Sequence, residues 1–330
     1  MVAASMAVVM GMAVLTGCSK KDSSSEQKKI GVVQLVEHDA LDAAYQGFKE
    51  GLEDAGYKDG DKIKIEYKNA QNEQANCQTI AQQFVTDKCD LVLAIATPAA
   101  QAMANESKDI PILVTAVTDP ADAKLVKTNK KPGGNVTGTS DLTPVKEQMG
   151  LLKELLPSAK KVAMLYCSAE ANSKFQVGMA KKEAKALGLE TVDATVSESS
   201  EIRQVVESLK GKVDAIYSPT DNMIAAGINT VSMVANEAKI PFIVGEEGMC
   251  TGGGLATYGV NYYKLGQQTA KQAVKILEGK AEPKDMPIEY QTNSDLIINS
   301  DTVKALGIKI PKKLQDKAKM VTTQKKSDKE

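Results

Sequence analysis

Length, composition and charge set the first limits on this chain. Its 330 residues suffice for about two domains with a sizeable core. The 41 Lys and Arg nearly balance the 42 Asp and Glu, and the formal net charge of −1 excludes binding to nucleic acid or to an anionic membrane by long-range charge. The single histidine, His38, and the lack of a Cys-x-x-Cys motif argue against a structural zinc site, so we expect neither a metal nor a cofactor.

The N-terminal segment has the pattern of a bacterial lipoprotein signal. Residues 2–16 are nearly all apolar or small, too few for a mature membrane span, and they lead into Leu15-Thr16-Gly17-Cys18. This pattern predicts a signal peptide over residues 1–17, lipidation of Cys18 and a polar, Ser-rich tether over residues 18–29. No Lys or Arg precedes the apolar segment, so we expect the true start to lie upstream.

From Ile30 onward, short apolar runs alternate with amphipathic helical runs. The apolar runs are continuous, which is typical of strands covered on both faces, and their alternation with helices predicts a parallel sheet with right-handed crossovers. The predicted strands of this half are Ile30–Val36, Ile63–Lys68, Leu91–Ala96 and Ile112–Val117. Helices are predicted over Leu41–Ala55 and Glu73–Asp87, and from Pro98 and Asp119-Pro120 onward.

A Gly-rich stretch at residues 131–141, KPGGNVTGTSD, interrupts this alternation. It lacks the Lys-Ser/Thr of a phosphate-binding loop, so we interpret it as a crossover between two lobes. Residues 315–330 are rich in Lys and are predicted to be a mobile tail. Beyond the crossover the alternation restarts, with predicted strands Val162–Tyr166, Leu189–Ala194, Ala215–Tyr217, Phe242–Val244 and Ala256–Tyr258.

Polar residues collect where the predicted strands end. In open parallel sheets, ligands bind beyond the carboxyl ends of the strands. Helix N-termini and hydroxyl groups at these ends suit a carboxylate, and acidic side chains suit a cation, so the edge as a whole suits a zwitterion such as a free amino acid. Asp119, Asp141 and Asp221 could equally be helix N-caps. The strand-end residues are Glu37-His38, Thr97-Pro98-Ala99-Ala100, Thr118-Asp119, Ser140-Asp141, Cys167-Ser168, Thr220-Asp221-Asn222 and Glu246-Glu247.

Several motifs together resemble those of a known family. The chain from about Ile30 to Leu314 is similar to substrate-binding lipoproteins of ATP-binding-cassette (ABC) importers, in the tryptophan/tyrosine-type branch with the periplasmic-binding-protein type I fold. The Leu15–Cys18 motif is part of this resemblance. The other motifs are EHDALDAAYQGFKEGLEDAGY, ATPAAQA, AVTDPADAKLV, PGGNVTGTSD, GVNYYKLGQQTA and LIINSDTVKALGI.

This resemblance implies an α/β fold of two Rossmann-like lobes with parallel sheets joined by three crossovers. The N-lobe would comprise residues 30–140 plus about 262–288, and the C-lobe residues 141–261 plus about 289–314. The ligand's α-carboxylate would bind at Thr97, Ala99, Ala100 and Thr118. Its ammonium group would bind at Asp221 or at Glu247; the sequence leaves open whether Glu246 or Glu247 points inward.

Composition narrows the ligand class further. The chain has no Trp, and its single arginine, Arg203, lies within a predicted helix, which disfavours sugars, phosphates and dicarboxylates. The composition agrees with the aromatic amino acid that the resemblance implies, and it leaves tyrosine and tryptophan undecided. Gln34, His38 or Asn172 could pair with a ligand phenol, and Asp119 and Ser168 complete the predicted ligand-binding residues.

The predicted function is therefore extracytoplasmic capture of an amino acid by lobe closure and delivery to an ABC permease and its ATPase. The predicted location is the cell membrane surface, through the lipid on Cys18. A surface adhesin, a ligand sensor or a binder of another zwitterion are the alternatives. The acid–His–acid cluster Glu37-His38-Asp39 suggests an enzyme as a further hypothesis, with Cys167 or Cys250 as the nucleophile. However, no Gly-x-Ser-x-Gly elbow or second histidine supports it, and we expect no enzyme.

Overall fold

The computed structural model describes residues 27–324 of the chain. The predicted signal peptide, Cys18, most of the predicted tether and the last residues of the predicted tail lie outside the described residues. Within residues 27–324, no helix is both long enough and apolar enough to cross a membrane.

The first half of the chain builds one lobe, the N-lobe. Strand β3 and strand β4 are buried along their whole length, as the continuous apolar runs predicted, because helices cover both faces of the sheet. The elements are β1 (Lys28–Gln34), α1 (Asp39–Asp54), β2 (Ile63–Asn69), α2 (Gln74–Thr86), β3 (Leu91–Ile95), α3 (Thr97–Glu106), β4 (Ile112–Val117) and β5 (Val136–Ser140).

The C-lobe follows with the same alternation. Its elements are α4 (Val145–Leu155), β6 (Lys161–Cys167), α5 (Ala171–Ala186), β7 (Glu190–Val196), α6 (Ile202–Glu207), β8 (Ala215–Ser218), α7 (Asn222–Ala226), α8 (Ile228–Glu237), β9 (Phe242–Val244), α9 (Glu247–Thr251) and β10 (Ala256–Gly259). The remaining elements are α10 (Tyr262–Leu277), β11 (Glu289–Tyr290), β12 (Asp295–Asn299), α11 (Ser300–Leu306), α12 (Lys312–Gln315) and β13 (Lys319–Val321).

Two sheets organise these elements. The N-lobe sheet has six strands in the order β11-β5-β4-β3-β1-β2, and the C-lobe sheet has seven in the order β13-β12-β10-β9-β8-β6-β7. All strand pairs are parallel except β10 with β12. The chain passes between the sheets three times, at residues 141–144, 260–261 and 291–294. The predicted class of an α/β fold with two Rossmann-like lobes and three crossovers is confirmed.

Helix α10 returns to the N-lobe and packs closely against α1. A Cβ atom on Gly47 would lie 2.0 Å from the Tyr263 carbonyl oxygen, and one on Gly266 would lie 2.0 Å from the Ala44 carbonyl oxygen. Only glycine allows the two helix backbones to approach this closely. The second crossover is thereby held firmly at the lobe boundary.

The structure differs from the sequence-based expectation in three places. Strand β11 pairs with β5, so the last N-lobe segment extends to Tyr290. Strand β13 pairs with β12, so part of the predicted mobile tail is the edge strand of the C-lobe sheet. No helix starts at Asp119-Pro120, because residues 119–126 form successive turns that include Lys124 at a φ of +61°. The thiols of Cys77, Cys89, Cys167 and Cys250 are buried and unpaired.

Candidate ligand-binding cleft

The carboxyl ends of the strands of both lobes face each other and enclose a small cavity, which we call the interlobe cavity. Its volume is about 10 Å³ in this structure. N-lobe and crossover residues form one side, and the ends of β8 and β9 with α5 and α7 form the other. The lining residues are His38, Leu41, Ala116, Thr118, Asp141, Asn172, Thr220, Asp221, Asn222, Ala225, Glu246 and Tyr262.

Direct contacts hold the lobes together around this cavity. The Nε2 atom of Gln176 donates hydrogen bonds to the hydroxyl of Thr118 at 3.2 Å and to that of Thr220 at 2.6 Å. These two hydroxyls belong to opposite lobes and lie 3.5 Å apart. Nε2 of His38 lies 3.4 Å from Oδ1 of Asn222, again across the cleft. The small cavity and these contacts describe a closed arrangement.

Two buried carboxylates of the C-lobe, Glu170 and Asp221, lie close to each other, and Asp221 lines the cavity while Glu170 lies behind it. Burial, aided by the nearby Asp221 charge, raises the pKa of Glu170, and burial raises the pKa of Asp221. Hydrogen bonds to the charged forms oppose both shifts. Glu170 accepts them from Asn172 Nδ2, Asn222 N, Asn222 Nδ2 and Met223 N, and Asp221 accepts them from Cys167 N, Ser173 Oγ and Ile224 N.

A third buried carboxylate, Glu246, is the N-cap of α9. It accepts hydrogen bonds from the backbone N–H groups of Gly248 at 2.5 Å and Met249 at 2.6 Å. Burial raises the pKa of Glu246 to about 7, and the charges of Asp39 and Glu247 add to the effect. Its neighbour Glu247 points outward and forms an ion pair with Lys319 at 2.5 Å.

The fourth carboxylate, Asp141, opens the first crossover. Its Oδ2 accepts a hydrogen bond from the Tyr262 hydroxyl at 2.7 Å, and burial raises its pKa. Its other oxygen, Oδ1, is buried and has no hydrogen-bond partner among the described residues, and the same holds for Oδ1 of Asn172. The hydroxyl of Thr118 also acts on the Asp141 carboxyl, in the direction that lowers its pKa. Buried polar atoms are almost always paired, so these two oxygens are the acceptors of the cavity that remain open to a further donor.

The ends of β3 and β4 carry backbone strain. Ala96 has a φ of +81° and Ala116 a φ of +54°, a region that residues with a Cβ atom rarely adopt. Such conformations cost about 1–3 kcal/mol each and cluster at functional sites. Ala116 lines the interlobe cavity, and Ala96 precedes the first turn of α3 beside it.

The interlobe cavity brings together four of the residues predicted from sequence: His38, Thr118, Asn172 and Asp221. His38 is only 8% exposed and occupies the N-cap position of α1. Asp221 is also a helix cap, since its Oδ1 accepts from Ile224 N at 2.9 Å. The Asp221 side chain therefore caps helix α7 and also lines the cavity.

The other predicted residues lie outside the cavity lining. Gln34 is buried and donates to Asp42 Oδ1 at 2.6 Å, and Ser168 lies near Val196 O at 3.3 Å. Asp119 Oδ1 closes a turn by accepting from the backbone N–H groups of residues 121 and 122. Thr97, Ala99 and Ala100 form the buried first turn of α3, and Glu247 lies at the outer rim.

Other cavity residues were not among those predicted to bind the ligand. Asp141 and Glu246 were recognised only as strand-end residues, and the direction of Glu246 could not be read from Gly-Glu-Glu-Gly. Tyr262 follows a crossover, and Glu170 lies beyond the end of β6, where no local signal distinguishes it from a surface acid. The described residues include no group of three or more His, Cys, Asp or Glu that could hold a metal ion.

Comparisons with known proteins match this architecture. A family model described as ABC transporter substrate binding protein matches residues 29–322. A tyrosine-binding protein of Clostridioides difficile (strain R20291) is 49% identical over 314 residues, covering 92% of this chain and 91% of the relative. A solved domain from Streptococcus pneumonia in complex with L-Trp is 41% identical, covers 89% of this chain and 99% of its own, and has a TM-score of 0.87.

A third relative helps to identify how the two lobes of this chain are arranged. The ligand-free, open structure of a substrate-binding protein with adhesive properties from Clostridium difficile is 47% identical and covers 90% of this chain and 100% of its own, yet its TM-score is 0.69. The tryptophan complex is less similar in sequence but superposes better, so the lobes here are arranged more like those of the ligand-bound relative. The chain belongs to the family of ABC transporter substrate-binding proteins.

Proposed function

We propose that this protein captures a free aromatic α-amino acid, tyrosine or tryptophan, by closing its two lobes over it. The relatives named above support the ligand class, since one is described as tyrosine-binding and another was solved with L-Trp. In this mechanism the open form exposes the strand ends, and a ligand that contacts both lobes stabilises the closed form.

The observation that carries this proposal is the charge of the interlobe cavity. Asp141, Asp221 and Glu246 line it, Glu170 lies behind it, and none of the described lining residues is Lys or Arg. Buried carboxylates without a cation are costly, and removal of a charge partner from such a site typically costs about 3–5 kcal/mol. A ligand ammonium group would supply the cation and the hydrogen-bond donors.

We assign the ammonium group to the unpaired acceptors. Asp141 Oδ1 and Asn172 Oδ1 are buried in the same cavity and together offer two lone-pair sites to an –NH₃⁺ group. Asp221 and Glu246 contribute through their charges, because backbone donors already occupy their oxygens. This distribution differs from the sequence-based assignment of the ammonium to Asp221 or Glu247.

For the α-carboxylate we keep the sequence-based assignment. Helix α3 begins at the carboxyl edge of the N-lobe sheet, and its first turn contains Thr97, Ala99 and Ala100. Ala96 N donates to Thr115 O at 3.1 Å, which places this turn next to the end of β4 and to Thr118. Pro98 has no N–H, and the Ala100 N–H donates to Ala96 O at 3.0 Å. The N–H groups of Thr97 and Ala99 at the helix start are therefore the ones that suit an anionic group.

The proposed cellular role is delivery of the amino acid to the permease and ATPase of an ABC importer. It follows from the family and from the lipoprotein motif at Cys18. A Cys18→Ala variant expressed from its full gene should leave the membrane fraction, whereas the unmodified protein should stay in it. The adhesive properties named for one relative suggest surface adhesion as a second candidate role. Loss of aromatic amino-acid uptake after gene deletion supports import, and normal uptake with reduced attachment supports adhesion.

Isothermal titration calorimetry of the mature protein against the twenty amino acids tests the ligand assignment. We expect tyrosine or tryptophan to bind most tightly, with acidic amino acids among the weakest because the cavity already holds several carboxylates. Absence of binding by every aromatic amino acid would refute the proposal.

A further inference from the structure

A second cavity adjoins the interlobe cavity and is larger. Its volume is about 70 Å³, against about 10 Å³ for the first. The two share the lining residues His38, Ala225 and Glu246, so they are directly adjacent. We call this second cavity the side-chain pocket; it is lined by His38, Asp39, Ala225, Ile228, Asn229, Glu246, Gly248, Gly252 and Gln324.

The middle of the side-chain pocket is narrow. A Cβ atom on Gly252 would lie 2.6 Å from Ile228 Cγ2, and one on Gly248 would lie 3.0 Å from Asp39 Cβ. Ile228 and Asp39 therefore already occupy the space beside these glycines, and any larger residue at either position would close the pocket. A flat, apolar group such as an aromatic ring suits a slot bounded by Ile228, Ala225 and the His38 imidazole.

The lining of the side-chain pocket is partly polar. It carries the amides of Asn229, on α8, and Gln324, and neither amide group has a hydrogen-bond partner among residues 27–324. Each can accept a hydrogen bond from, or donate one to, a polar atom at the far end of a ring.

Gln324 comes from the segment that follows β13, and that segment is held in place. The Gln324 N–H donates to Thr251 O at 2.9 Å. Just before it, the Thr323 N–H donates to Asp301 Oδ2 at 3.0 Å, and Asn299 Nδ2 donates to the Thr323 hydroxyl at 3.0 Å. The C-terminal strand thus supplies a fixed wall residue to a pocket between the lobes.

We propose that the side-chain pocket receives the aromatic ring of the ligand and that Asn229 and Gln324 determine specificity by contacting the ring's polar atom. This inference rests on the proposed function. A phenol hydroxyl or an indole N–H would form a hydrogen bond with these amides, whereas a phenyl ring has no polar atom that could do so. Because both amides are solvent-exposed, the contact is worth about one net hydrogen bond, or roughly tenfold in affinity between tyrosine and phenylalanine.

The test is calorimetry of the mature protein with tyrosine, tryptophan and phenylalanine, for the unmodified chain and for the double variant Asn229→Ala/Gln324→Ala. We expect the unmodified protein to prefer tyrosine over phenylalanine about tenfold, and the double variant to lose this preference while its phenylalanine affinity stays unchanged. Retained phenylalanine binding shows that the variant is folded. Asn236→Ala and Thr322→Ala, in the same two segments but away from the pocket, serve as controls.

The outcomes separate the two proposals. An unchanged tyrosine preference in the double variant, or no preference in the unmodified protein, would overturn the pocket assignment and leave aromatic amino-acid capture intact. Failure of the unmodified protein to bind any of the three would overturn both. A loss of affinity that is equal for all three ligands would show that the amides act on lobe closure and not on the ring.

Discussion

The hydroxyl of Tyr262 donates a hydrogen bond to Oδ2 of Asp141 at 2.7 Å, and this bond joins two of the three chain crossings between the lobes. Asp141 directly follows β5 at the first crossing, and Tyr262 opens α10 just after the second. Both residues are buried. The bond fixes one carboxylate oxygen at the hinge side of the interlobe cavity, and the other oxygen, Oδ1, is buried without a hydrogen-bond partner among the described residues.

Tyr262→Phe should destabilise the ligand-free protein by about 1–3 kcal/mol, because the buried Asp141 carboxylate loses the Tyr262 hydroxyl as a donor. Urea denaturation near pH 8, where Asp141 is ionised in the unfolded state, measures the change. The neighbouring Tyr263→Phe is the control, since the Tyr263 hydroxyl bonds Glu50 at the surface and its removal should matter far less. Equal effects of the two substitutions would contradict the role given to Tyr262.

The pH dependence of stability should follow the buried carboxylates. Burial raises the pKa of Glu246 to about 7, well above its value of about 4.3 in an unfolded chain. Between these values the folded protein binds more protons than the unfolded one, so the free energy of unfolding falls as pH rises, by up to about 1.4 kcal/mol per pH unit for each group. Glu170, Asp221 and Asp141 act in the same direction.

We therefore expect the ligand-free protein to unfold at lower urea concentration at about pH 8 than at about pH 5.5, with Glu246→Gln flattening the trend. A ligand ammonium group favours the ionised carboxylates, so ligand affinity should rise over the same range and binding should release protons. Calorimetry in two buffers of different ionisation enthalpy detects that release. Stability that increases toward about pH 8, or binding without proton release, would contradict the electrostatic account.

Gln176 should stabilise the closed state, because its amide bridges Thr118 and Thr220 across the cleft. Gln176→Leu keeps the volume but removes the bridge, and we expect affinity to fall about fivefold, mostly through faster release. Stopped-flow measurement of tryptophan fluorescence is feasible, because the chain itself has no Trp. Gln204→Leu, on an exposed face of α6, is the control; equal dissociation rates in the two variants would argue against the bridge.

Close packing of α1 and α10 gives a prediction on stability. Gly266→Ala would place a Cβ atom 2.0 Å from the Ala44 carbonyl oxygen, so the helices must separate, and we expect a loss of about 1–3 kcal/mol. Gly178→Ala, in the interior of α5 with open space around it, should instead gain up to about 1 kcal/mol through helix propensity. Thermal denaturation of both variants measures the difference, and a stable Gly266→Ala would show that the contact can relax.

Topology explains why part of the site could be predicted from sequence. Parallel strands bring their carboxyl ends to one edge, so residues close after strands, such as Thr118 and Asp221, were identifiable before the structure. His38 was found in the same way, and it lines the cavity between the lobes. The thiols of Cys167 and Cys250, which were considered as nucleophiles, are buried with raised pKa values.

What the sequence could not show depends on orientation and on distant contacts. Glu246 points inward because its side chain caps helix α9, whereas Glu247 points outward and pairs with Lys319. Neither orientation can be read from the sequence. Strand β13 is short, exposed and rich in Lys, so its composition resembles a tail, and only its pairing with β12 makes it a strand. Gln324 at the side-chain pocket depends on that pairing.

The central claim is that buried carboxylates at the lobe boundary receive the ligand's ammonium group. Calorimetry with L-tyrosine and with its analogue lacking the amino group, 3-(4-hydroxyphenyl)propionate, tests it in the unmodified protein, in Asp141→Asn and in the exposed control Asp122→Asn. We predict that removal of the amino group costs the unmodified protein and Asp122→Asn about 100-fold in affinity, and that this gap shrinks at least about fivefold in Asp141→Asn. Equal affinities of the unmodified protein for the two ligands, or the same gap in all three proteins, would contradict the account.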